Sequence, residues 1–116
     1  MIITTSWDDG HVLDLKLADM LDRHGLKGTF YIARQYLDER MIDTQLSDLS
    51  QRHELGAHTL THPTLIEIDD TQAHEEIVGS KRWLEDVIGK PVTSFCYPKG
   101  MYTRSHRDIV QNAGYS

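Results

Sequence analysis

"MIITTSWDDGHVLDLKLADMLDRHG", residues 1–25, contains one strand and one helix with a carboxylate pair at their seam. "MIITTSW" is a β-rich opening run, closed by Asp8, Asp9 and Gly10. From Val12 the period changes. Leu13, Leu17, Met20, Leu21 and His24 fall at helical spacing, and Gly25 is placed to end the helix. Asp8 and Asp9 are like charges side by side, costly to desolvate together. Either a nearby cation offsets them, or they are solvated turn residues.

The same unit repeats along the chain. "GTFYIAR" (28–34) reads as a second strand, and Asp43 or Thr44 caps a second helix carrying Leu46 and Leu49. "LGAHTLTHP" (55–63) reads as a third strand running into a loop that Pro63 stops. Asp69 and Asp70 open the clearest helix. Its inner stripe is Ala73, Ile77, Leu84 and Ile88, and Gly89 and Pro91 end it. "VTSFCYP" (92–98) reads as a fourth strand, and "TRSHRDIVQNAG" (103–114) as a fourth helix. Strands alternating with helices over short connections predict an α/β fold with a parallel sheet and right-handed crossovers. A closed eight-unit barrel needs roughly 200 residues or more. The 116 residues here therefore predict a small open sheet or part of a barrel. No linker or low-complexity segment divides the chain, so residues 1–116 read as one domain.

Composition excludes several classes. The formal net charge is −6 and there is no basic stripe, which disfavours a nucleic-acid partner. No apolar run approaches the ~20 residues that a membrane-spanning helix needs. Cys96 is the single cysteine, so no internal disulfide can form. "MIITTS" lacks the basic start and apolar core of a signal peptide, which points to a cytoplasmic protein.

In parallel β-α architectures, ligands bind at the C-terminal ends of the strands. Three clusters are expected there: Asp8 and Asp9, then His58 and His62, then "YPKG" (97–100). Two His four apart can converge on a metal if the backbone coils between them. Alone the pair is weak, because a chain with seven His holds about 0.35 such pairs by chance. Alone, "DDG" is a common solvated turn and "YPKG" a plain strand-ending turn. Together they make a different set. One carboxylate with two imidazoles binds zinc or another divalent ion and leaves positions open for water. The second Asp is then free to take a proton from water. Pro98 and Gly100 shape a turn that can aim a backbone N–H, such as that of Lys99, at a developing oxyanion. His11 lies near enough to be a weak candidate. His24 reads as helix surface, His53, His74 and His106 as solvated, and Cys96 and Trp83 as packing residues.

These motifs resemble the polysaccharide deacetylase family, the NodB-like group of carbohydrate esterase family 4. The first family motif, T-F-D-D-G, is matched by Ser6-Trp7-Asp8-Asp9-Gly10. The second, H-S/T-x-x-H, is matched by His58-Thr59-Leu60-Thr61-His62, and the third by "FCYPKG". "LKGTFYIA" and "HELGAHTLTHP" also read like the family, and order and spacing agree over essentially the whole chain.

The resemblance implies a partial or distorted (β/α) barrel of the deacetylase type. It implies Asp8 as general base, and Asp9, His58 and His62 as ligands of a divalent metal, with zinc the expected ion. Thr59 would hold the His loop, and the Lys99 N–H, in a turn with Tyr97 and Pro98, would face the oxyanion. The implied reaction removes acetyl groups from an N-acetylated (or O-acetylated) glycan. The alternatives are a non-catalytic domain that binds metal or glycan, or a hydrolase of a small amide.

Cys96 stands where the family often has Arg, and Lys99 where Tyr is common. Segments matching the fourth and fifth family motifs, the fifth supplying a His general acid, do not occur in residues 1–116. The expectation is a chain holding the metal half of the barrel, with weak or no turnover by itself. It would also have an unpaired sheet edge open to self-association.

Overall fold

The structure is a computed structural model that describes residues 1–116. Its strands are β1 (Ser6–Asp9), β2 (Thr29–Ile32) and β3 (Glu54–Ala57). Its helices are α1 (Asp14–Arg23), α2 (Asp43–Leu49), α3 (Asp70–Ile88) and α4 (Arg104–Asn112). The strands pair in parallel in the order β1-β2-β3. Trp7 is level with Phe30 and Leu55, and Asp9 with Ile32 and Ala57. Alternation sends these residues to the helix-covered face. Phe30, Ile32, Leu55 and Ala57 are buried there with Ala18, Leu46, Leu49, Ile77 and Leu84 in one core. Trp7 stacks on Phe30 at 5.4 Å, which makes it a packing residue.

The strands are shorter than their sequence runs. Residues 1–4 lie outside β1 and are exposed, because pairing to β2 starts at Thr5, whose carbonyl accepts from the Thr29 N–H. The expected fourth strand reduces to a single parallel bridge between Ala57 and Phe95. Two hydrogen bonds hold it: Ala57 N–H to the Ser94 carbonyl, and Cys96 N–H to the Ala57 carbonyl. Pro91 and Pro98 bracket the segment and lack donors. The Thr93 carbonyl is taken instead by the Ser116 N–H. The segment still follows β3 as the fourth position of the parallel β-α series.

Helix ends show where local signals are read correctly. Asp69 caps α3 by accepting from the Gln72 N–H, and Gly89 closes it at φ 70°. All four stripe residues of α3 are buried. The N-cap of α2 is Ile42 rather than Asp43 or Thr44, and its N–H donates to Gln45 Oε1. α4 is capped by Thr103, whose hydroxyl accepts from the His106 N–H, while His106 Nδ1 accepts from the Thr103 N–H. That reciprocal cap buries His106, which the sequence suggests is solvated. His53 is buried too. Its Nδ1 accepts from the Gly28 N–H, and its Nε2 lies 3.0 Å from Asp22 Oδ1. No helix is long and apolar enough to cross a membrane.

Candidate metal centre

The register puts the C-terminal ends of the strands on one rim. Asp9 ends β1, His58 follows β3, and Cys96 follows the bridge at Phe95. The His58 N–H donates to the Ile32 carbonyl, which seats it against β2. At this rim the backbone leaves ordinary space. Asp9, Thr59, His62 and Lys99 are the non-glycine residues with positive φ, at 80°, 70°, 58° and 57°. Left-handed backbone costs an L-residue about 1–2 kcal/mol, and such strain gathers at functional sites. Gly10 follows Asp9 at φ 86°, and a Cβ there would lie 3.1 Å from Ile32 Cγ2. The glycine of "DDG" is thus required by conformation and by space.

Asp9 Oδ1 lies 3.3 Å from His58 Nε2 and 3.4 Å from His62 Nε2. One donor atom from each residue falls within 4.8 Å of the other two. His58 is buried, and its Nδ1–H donates to the Cys96 carbonyl at 2.8 Å. This bond fixes the tautomer, so the Nε2 lone pair points at the cluster. Burial and the neighbouring His58 ring hold His62 below the ordinary imidazole pKa. Three convergent donors of carboxylate and imidazole type fit a divalent ion.

The other expected residues surround this cluster. Thr59 is fully buried, its hydroxyl accepts from the His62 N–H at 3.0 Å, and it also bonds the His58 carbonyl. Asp8 is exposed beside the cluster, and its Oδ2 lies 3.8 Å from Cys96 Sγ. Burial and Asp8 together push the Cys96 thiol up to about 11, which disfavours the thiolate. Lys99 sits in the turn Pro98–Gly100, and its Nζ donates to Thr64 Oγ1 at 2.9 Å. This joins the third motif to the exit of the His loop. The Lys99 N–H makes no hydrogen bond within the chain. Tyr97 packs in a stack with Tyr102 at 4.4 Å. His11 bonds Glu39 at 2.8 Å, outside the triad.

Three residues at this rim carry no signal in the sequence. Tyr36 stacks on His62, with centroids 4.0 Å apart and planes at 12°. Glu76 bonds the loop between the two histidines. Asp14, on the first turn of α1, is buried with Oδ2 unpartnered. Burial, reinforced by Asp9 and Asp8 and opposed by His11, pushes its carboxyl up to about 6.

The polysaccharide deacetylase family profile matches residues 2–116. The chain belongs to the polysaccharide deacetylase family. Among curated relatives, a peptidoglycan-N-acetylglucosamine deacetylase of Bacillus cereus is 25% identical over 89 residues, covering 75% of this chain and 32% of that protein. The deacetylase PplD of Streptococcus pyogenes, solved in complex with acetate, superposes with TM-score 0.89 at 19% identity, covering 95% of this chain and 51% of that one. A family 4 carbohydrate esterase pseudoenzyme from Bacillus anthracis superposes at 0.83 with 18% identity, covering 97% of this chain and 40% of that one. This deacetylase-family chain thus spans about a third of the curated relatives it matches and about half of PplD. Its α/β fold with parallel strands is that of the family 4 esterases.

Proposed function

We propose that this chain carries the metal-binding and water-activating part of a hydrolase that removes acetyl groups from an N-acetylated glycan. Asp9, His58 and His62 are the residues that would hold a divalent ion, with zinc the favoured one for two imidazoles and a carboxylate. When bound, the ion supplies Lewis acidity toward an acyl carbonyl and toward water. The chain does the rest. Asp8, exposed beside the triad, accepts a proton from the attacking water. The unbonded N–H of Lys99, held by the Tyr97–Pro98 turn, donates to the oxyanion of the tetrahedral intermediate. Thr59 holds the His62 backbone in its left-handed conformation.

One observation carries this reading. Three donor atoms from two separate chain segments lie within 4.8 Å at the strand ends, with the tautomer of His58 set by the Cys96 carbonyl. Family membership supports the substrate class.

The test strips the purified chain, reloads it with zinc, and measures stoichiometry by elemental mass spectrometry. Near one zinc per chain is expected, and His62→Ala should reduce it to background. Acetate release from N-acetylglucosamine oligomers is then followed with zinc present, alongside Asp8→Asn. Zinc uptake with acetate release that depends on Asp8 supports hydrolysis. Zinc uptake with weak or no acetate release is the result expected of a chain that carries only this part of the site, and any release that occurs should fall in Asp8→Asn. No specific uptake overturns it.

A further inference from the structure

The structure assigns to Glu76 the role of positioning residue for the candidate metal site, a reading that rests on the metal-binding proposal above. Glu76 lies in the second turn of α3, six residues after Asp70, and is partly buried. Its Oε2 accepts from the Leu60 N–H at 2.8 Å and from the Thr61 N–H at 2.9 Å, and its Oε1 accepts from the Thr61 hydroxyl at 2.6 Å. One carboxylate therefore takes three donors from the two residues midway between His58 and His62. Charge-assisted bonds of this kind are about twice as strong as neutral ones.

The loop needs such a hold. Thr59 and His62 both sit at positive φ, one of them β-branched, so local preference opposes the coil that brings the imidazoles together. Gly79, one turn along α3, completes the seat. A Cβ there would lie 2.9 Å from Leu60 Cδ1, so glycine lets the loop lie against the helix. On the far side, the loop is pinned to the end of β2 by the Arg34 and Gln35 N–H groups, which donate to the Thr59 and Leu60 carbonyls. Tyr36 then covers the His62 ring. Glu76 touches neither ligand. It acts by holding the backbone from which His62 is aimed at Asp9, and it transmits the rigidity of α3 to the site.

The experiment compares the full chain with Glu76→Ala and Glu76→Gln. Zinc affinity is measured by competition with a chromophoric chelator. Glu76→Ala should weaken it roughly tenfold, the lower end of what supporting groups contribute to metal affinity. Glu76→Gln keeps a carbonyl oxygen for the Leu60 and Thr61 N–H groups and should stay within a few-fold of wild type. A second readout uses zinc-free protein. Proton NMR contacts between the Tyr36 and His62 rings should weaken in Glu76→Ala. Amide exchange should quicken at Leu60, Thr61 and His62 while remaining slow at Ile77 and Leu84. Wild-type zinc affinity together with intact ring contacts in Glu76→Ala would overturn the assignment. So would exchange that quickens equally in loop and core, because that marks global destabilisation. If His62→Ala leaves zinc uptake unchanged, the metal reading falls, and the zinc-free readout still decides whether Glu76 positions His62.

Discussion

α3 and the loop of residues 58–62 touch through Glu76, yet they follow opposite rules. In α3 every local preference agrees with the fold. Asp69 caps it, Gly89 ends it, and Ala73, Ile77, Leu84 and Ile88 bury one face. In the loop, preference is violated twice by positive φ and once by an imidazole with almost no exposure. A chain keeps such a conformation only where surrounding structure over-determines it, and that is where function concentrates. The helix is stable for its own reasons, while the loop is stable because of the helix.

The comparison can be broken from the helix side first. Leu84→Ala removes a fully buried side chain from the core and should cost about 2–5 kcal/mol. Urea unfolding measures the loss. At temperatures where the variant is folded, its zinc stoichiometry should equal wild type, since Leu84 is no part of the rim. A fall in zinc uptake by folded Leu84→Ala would mean that core and site are not separable.

Asp14 sharpens the comparison from the site side. Its folded pKa is raised to about 6 from 3.8, so its protonated form is favoured in the folded state. The contribution is present below about 3.8 and is lost as pH rises through about 6. At neutral pH a buried, ionised Asp14 costs the zinc-free protein about 1–3 kcal/mol. Asp14→Asn should therefore raise the Tm of the zinc-free chain at pH 8. The gain should shrink to nothing near pH 3.5, where both side chains are neutral. A gain independent of pH would assign the effect to packing instead.

The smallest effect is expected at α4. Thr103→Ala removes the hydroxyl that caps the helix and frees His106 from its reciprocal bond, for about 1 kcal/mol. Thermal unfolding should register it, with zinc affinity unchanged.

Much of this is legible along the chain. The β-α alternation, the stripe of α3, its cap and its terminator all come from interactions spanning a few residues, and the structure reproduces them. The placement of Asp8, Asp9, His58, His62 and "YPKG" on one rim follows from the rule that parallel strands present their C-terminal ends together. The misread histidines fail for a common reason. His53 pairs with a backbone group 25 residues away, and His106 enters an unusual cap, so composition and neighbours say nothing of either. The fourth strand is misread because its apolar run looks pairable, although prolines at both ends and Ser116 divert its backbone.

The sequence by itself determined the β-α alternation, the ends of α3 and the identity of the candidate ligands, because periodicity, capping and turn chemistry act over short range. Only the tertiary structure decided that Asp9 meets both imidazoles, that His58 presents Nε2 rather than Nδ1, and that Glu76 holds their loop. Those outcomes depend on sheet register and on contacts between residues 15 to 53 positions apart, which no local pattern encodes.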